Sequence, residues 1–238
     1  MQVLLPLKVP WQANRFTMIK YEKSPQKLQL KSTEFVKENY NVEHLNLLEK
    51  QIARQMSVIC GDLSILENVR FSEKAVEKTL EALDEDYELL CDTETVVCGL
   101  KNKYLKNEPV CLINKANVIS QAKSKKLTRS MVAVDLWKPY LPESIILIGS
   151  EPTALFRLLE IIEELKNEDT SKKPALIIAT PVGFGGAKEA KQYLWDNCEK
   201  LGISCITLLG TRGGNDLATA IMNKLLQIHK TKEVEPEN

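Results

Sequence analysis

Histidine is almost missing from this chain: 238 residues contain two, His44 and His229. A Ser-His-Asp or Cys-His arrangement of nucleophile and base therefore has few ways to form. Net charge is missing too, because 32 basic residues balance 32 acidic ones. Nothing overall steers such a chain toward nucleic acid or an anionic membrane, so recognition of an anion must come from local placement. The six cysteines form no C-x-x-C pair and most stand among aliphatic residues. That reads as buried, reduced thiols with no metal site, suited to a reducing cytoplasm. No apolar run approaches the roughly 18 residues of a membrane span. The opening MQVLLPLKVP is broken by Pro6 and Pro10 and has no signal-peptide core. Nucleotide fingerprints are absent as well. No strand leads into G-x-G-x-x-G, and Gly210-Thr-Arg-Gly-Gly-Asn215 lacks the Gly-Lys-Ser/Thr ending of a phosphate loop. A nicotinamide-dependent oxidoreductase is disfavoured on that ground.

What is present is an ordinary globular apolar fraction of 44% and enough length to bury a large core without disulfides. The pattern predicts an extended arm over residues 1–24, one α/β domain over 25–229 and a disordered charged tail over 230–238. Helical spacing begins near Lys27 and recurs from Glu43 to Ser57, where Leu45, Leu48, Ile52 and Met56 share a face and Gly61 supplies a stop. Ser72 is the expected N-cap of the next helix. Strands are expected at 88–92, with Thr95 to Cys98 continuing or following, and at 109–113, 144–148, 175–179 and 203–209. Twice, at 145–165 and 174–198, an aliphatic run ends at Gly, Pro and small polar residues and a helical pattern follows. Two strand–turn–helix steps in succession imply a parallel sheet. Ser150 is placed to cap the first of these helices, with Pro152 in its first turn.

Ligands of open α/β sheets bind beyond the carboxyl ends of the strands. The loops Gly149 to Thr153, Thr180 to Gly186 and Gly210 to Asn215 fall there, each leading into a helix whose first N–H groups lack partners. With Arg129 and Arg212 they would suit a ligand bearing several carboxylates or phosphates. On spacing alone the glycines serve equally well as tight turns, and the arginines as surface ion pairs. Asp92 and Glu94 read as solvated carboxylates at a strand end. His229 reads as a partner for a helix C-terminus, and His44 as a surface or cap residue.

A set of words in the sequence carries more than spacing can. They are Leu90-Cys-Asp92 with Glu94, Thr128-Arg-Ser130 followed by Leu136-Trp137, Pro152-Thr-Ala-Leu-Phe156, Pro181-Val-Gly-Phe184, Lys191 and Gly213-Gly214. Across roughly residues 24–226 the chain resembles precorrin-8X methylmutase, the precorrin isomerase family of cobalamin biosynthesis. The resemblance implies a Rossmann-like, doubly wound and mostly parallel sheet with helices on both faces, in a homodimer that needs no cofactor. It implies migration of a methyl group from C11 to C12 of the precorrin macrocycle, giving hydrogenobyrinate or its cobalt counterpart. It carries substrate contact over to Ser32, Thr128, Arg129, Ser130, Arg212, Gly213 and Gly214, with further residues from a partner subunit.

One departure stands out. The family places a histidine, its proposed general acid, ahead of small residues and Gly-Asp at the end of the second helix. Counting back from Gly61-Asp62, that position is Val58; Ser57 and Ile59 flank it. Thr95 stands where the family usually has Met. Three readings stay open. Binding geometry carries the rearrangement; Asp62, Tyr40 or His44 supplies the proton; or the chain binds corrinoid without turning it over.

Overall fold

A computed structural model describes residues 20–40, 42–165 and 172–232. The expected N-terminal arm, the polar connection at 166–171 and the tail beyond 232 lie outside the described residues except for Lys20 to Ser24. Those five are non-helical, and the Ser24 hydroxyl caps α1 (Pro25–Asn39) by accepting from the Lys27 N–H. Helix α2 (Leu47–Cys60) starts four residues later than expected, because the Asn46 and Glu49 side chains close a capping box there. It ends as expected at Gly61, whose positive φ of 62° is the left-handed conformation that glycine adopts without strain.

The sheet has six strands in the order β1-β6-β5-β4-β2-β3. Strands β2 (Glu88–Cys91), β3 (Val110–Cys111), β4 (Ser144–Ile148), β5 (Leu176–Ala179) and β6 (Cys205–Leu208) run parallel, and β1 (Val69–Phe71) pairs antiparallel with β6. The central register sets Leu90 against Ile146, Ile146 against Ile177 and Ile177 against Cys205. Every residue of β4, β5 and β6 is buried, as strands covered on both faces require. Alternate residues then face opposite ways. Ile145, Leu147, Ile178 and Ile206 join a core with α2, α3 (Ala75–Asp84) and α9 (Asn215–Thr231). Ile146, Ile148, Ile177 and Cys205 join a second core with α6 (Arg129–Asp135), α7 (Pro152–Glu164) and α8 (Ala187–Leu201). The chain thus has an α/β fold with a mixed, mostly parallel sheet and helices.

Four local expectations are corrected. Thr95 to Cys98 is helix α4 (Glu94–Gly99), because the Thr93 hydroxyl caps it by accepting from the Val96 N–H. Strand β1 was not expected, since three residues are too short to show an alternation. Ser72 does not cap α3, whose first residue follows Lys74; instead it extends the β1 edge, its N–H donating to Cys205 O and its Oγ accepting from Cys205 N. Residues 230–231 belong to α9, so the charged tail begins later than expected. Helix α5 (Ala116–Lys125) packs on α6, completing the connection from β3 to β4.

Candidate functional site

Because β2, β4, β5 and β6 are parallel, their carboxyl ends share one edge of the sheet, and the loops that leave them are stitched to one another. The Gly183 N–H donates to Thr211 O at 3.0 Å and the Gly214 N–H to Thr180 O at 2.7 Å, while the Thr180 hydroxyl donates to Gly214 O. A Cβ on Gly213 would lie 2.1 Å from Thr180 O, so only glycine lets these two loops meet. Helices α7, α8 and α9 all start here, after Glu151, Gly186 and Gly214, and none has a side-chain cap. Ser150, expected to cap α7, does not. Three helix starts on one edge leave backbone donors for an anion.

Asp92 also differs from expectation, being 2% exposed rather than solvated. One carboxylate oxygen accepts from the Ser150 N–H at 2.9 Å and the Glu151 N–H at 3.4 Å, which ties the end of β2 to the start of α7. Its other oxygen is buried without a partner. Burial raises its pKa against the lowering effect of those N–H groups. Nothing in the sequence distinguished this aspartate from an exposed one, since burial follows from how α7 sits.

Lys191 has a clearer signal, standing at helical spacing among Ala187, Ala190 and Leu194 on the apolar side of α8. It is fully buried, and its ammonium donates to Arg212 O. Burial pulls its pKa down from 10.5 to about 8. The Arg212 guanidinium in turn donates to the Asp62 carboxylate and to Ser64 Oγ. A continuous chain of contacts therefore runs from α8, through the loop before α9, to the segment after α2.

That segment forms one wall of a groove of about 320 Å³ between α1 and α2, lined by Lys31, Ser32, Phe35, Ser57, Val58 and Asp62 among others. The structure thus brings together Ser32, Val58 and, through Asp62, Arg212, which lie far apart in sequence. Val58 is half-buried against the core, and neighbouring Ile59 faces a separate groove beside α9. Thr128, Arg129 and Ser130 are not among the walls of the Val58 groove. Thr128 caps α6 and its hydroxyl meets that of Thr153, in the first turn of α7, at 2.9 Å; Arg129 reaches Asn114 Oδ1, and Ser130 is buried. Thr128 therefore borders the α7 start, and Gly213 and Gly214 border the α9 start.

Comparison with known proteins places the chain. The precorrin-8X methylmutase (CbiC) family matches residues 27–228. The chain belongs to the precorrin-8X methylmutase family. It is 32% identical over 210 residues to the precorrin-8X methylmutase of Pseudomonas aeruginosa, covering 87% of this chain and 98% of that one. It is 27% identical over 192 residues to the cobalt-precorrin-8 methylmutase of Methanocaldococcus jannaschii, covering 81% and 85%. The crystal structure of precorrin-8X methylmutase from Thermus thermophilus superposes with a TM-score of 0.76 at 28% identity, over 89% of this chain and all of that one.

The groove bears on Val58, the position at which the resemblance implies a histidine. Asp62 is held below the usual carboxylate range by hydrogen bonds from Ser64, with Arg212 adding to the effect, so it is an anion at neutral pH. The Tyr40 phenol is pushed up, first by burial and then by Glu67; it follows α1 one turn beyond Val36, which lines the groove, and is not itself a lining residue. His44 is exposed and precedes the N-cap Asn46, which is 12 residues, or about 18 Å of helix, from Val58. His229, at the end of α9, pairs with Asp84 at 2.9 Å. Asp62 is therefore no proton source at neutral pH, and neither histidine lines the groove. All six cysteines are free, but Cys60 and Cys98 are exposed, contrary to the expectation of burial.

Proposed function

We propose that this protein is an isomerase of corrin-ring biosynthesis, moving a methyl group from C11 to C12 of precorrin-8X or cobalt-precorrin-8. The observation that carries this reading is the convergence of three side-chain-uncapped helix starts on one sheet edge, with Arg212 beside them. A macrocycle fringed with acetate and propionate arms presents several carboxylates at once. Uncapped helix N-termini and an arginine fork bind such groups at little reorganisation cost. The strand order supports a Rossmann-like, doubly wound sheet, whose switch point between β2 and β4 lies at Asp92 and Gly149.

In this reading Arg212, Gly213 and Gly214 hold one arm, Thr128, Arg129 and Ser130 a second, and Ser32 contacts the ring from α1. The chain's task is to fix the macrocycle in a reactive conformation, exclude water and supply a proton. Residues 25–229 act as one domain, in the cytoplasm, within a homodimer. Exposed Leu28, Leu30 and Phe35 on α1, at 47%, 59% and 57%, support a partner there. Among the described residues no helix is long and apolar enough to cross a membrane.

Incubation of the purified chain with precorrin-8X, followed by absorption spectroscopy, should show conversion to the hydrogenobyrinate chromophore. Val58 favours a second reading, a non-catalytic corrinoid binder, because valine has no proton to give. That reading predicts stoichiometric binding of hydrogenobyrinate and an unchanged precorrin-8X spectrum at high protein concentration.

A further inference from the structure

We infer that Lys31 is the catalytic proton donor of this chain, taking from the opposite wall of the groove the role for which Val58 is unfit. The inference rests on the isomerase reading above. Lys31 stands beside Ser32 on α1 and lines the same groove as Val58. Among the described lining residues its side chain alone carries protons on nitrogen. The other polar walls are poorly suited. Asp62 is an anion held by Ser64 and Arg212; Ser57 Oγ donates to Asp62 O; and Ser32 Oγ donates to Leu28 O of its own helix. Arg212 approaches through Asp62, but a guanidinium does not give up its proton in proteins.

Geometry favours the exchange. Lys31 and Val58 line one groove from neighbouring helices, so an acid moved from α2 to α1 still borders a ligand lying in it. The four-carbon stem of lysine lets its nitrogen follow the ring. Lys31 is exposed and Glu22 lies within electrostatic reach of it.

The step balances as an isomerisation. An N–H bond of Lys31 breaks as its proton passes to the macrocycle. The C11–methyl bond then breaks while its electron pair forms the C12–methyl bond. The rearranged ring releases one proton, which restores the ammonium.

The test compares turnover of precorrin-8X and binding of hydrogenobyrinate across four proteins. The unmodified chain should turn over. Lys31→Met should lose about 10²–10⁴-fold in rate, the usual worth of a positioned acid. Lys31→Arg keeps the charge without a transferable proton, so it should bind hydrogenobyrinate normally and remain slow. Lys31→Met combined with Val58→His should regain turnover. An unchanged rate in Lys31→Met, full activity in Lys31→Arg, or no rescue in a double variant that still binds overturns the assignment. Silence of the unmodified chain overturns the isomerase reading itself, and Lys31 with it.

Discussion

At the scale of single residues, two buried charges decide how the candidate site is held. Lys191 is charged and fully buried for the sake of one carbonyl, that of Arg212. Its folded pKa of about 8 lies below the ordinary 10.5. Below pH 8 both folded and unfolded chains carry the charge, and the burial penalty is fully present. Between about 8 and 10.5 the unfolded chain keeps a proton that the folded chain has released, so stability rises with pH, by on the order of 3 kcal/mol in all. Urea unfolding midpoints from pH 7 to 10 should show this rise in the native chain and lack it in Lys191→Met. The same variant frees the Arg212 loop and should raise KM for precorrin-8X more than it lowers kcat. Asp92 has the opposite sign. Its raised pKa means the folded chain binds the extra proton, so its contribution is lost as pH rises from 3.8 through the folded value. Asp92→Asn keeps an acceptor for the Ser150 N–H and relieves that loss. Asp92→Ala leaves the buried donor unpaired and should cost about 1–3 kcal/mol, read from chemical denaturation.

At the scale of elements, polar side chains at helix ends moved boundaries that apolar periodicity had set too loosely. The Asn46–Glu49 capping box delays α2, and Thr93 turns the Thr95 to Cys98 run from an apparent strand into α4. Four β-branched or apolar residues between a carboxylate and a glycine fit either period, so length and capping decide. The box matters for function because α2 carries Val58 into its groove. Asn46→Ala should lower stability by about 0.5–2 kcal/mol in denaturant titrations. The long strands were legible because full burial on two faces demands continuous aliphatic runs, as Ile145 to Ile148 shows. Strand β1 was not, because Val69 to Phe71 gains its strand character from pairing with Leu208, Thr207 and Ile206.

At the scale of the whole molecule, the sheet gathers residues from distant parts of the chain along one edge. Ser32 and Val58 share the α1–α2 groove, which Arg212 reaches through Asp62, while Thr128 meets Thr153 at the start of α7. The apolar surface of α1 is the part least explained by this arrangement. Sedimentation equilibrium should give the mass of two chains, and Phe35→Glu should shift it toward one if α1 forms the contact. A single-chain mass in the unmodified protein would count against the homodimer.

The sequence by itself determined the family, the parallel strands and the three glycine-rich loops, because each is written in contiguous residues whose chemistry acts locally. It also set the expectation that Val58 stands where the resemblance implies a histidine, by a count back from Gly61-Asp62. Only the tertiary structure decided which side chains share a space with Val58, that Asp92 and Lys191 are buried charges, and that Arg212 is fastened at both its carbonyl and its guanidinium. Those facts depend on packing between elements distant in sequence, where desolvation and hydrogen-bond geometry are set by neighbours that no local pattern names.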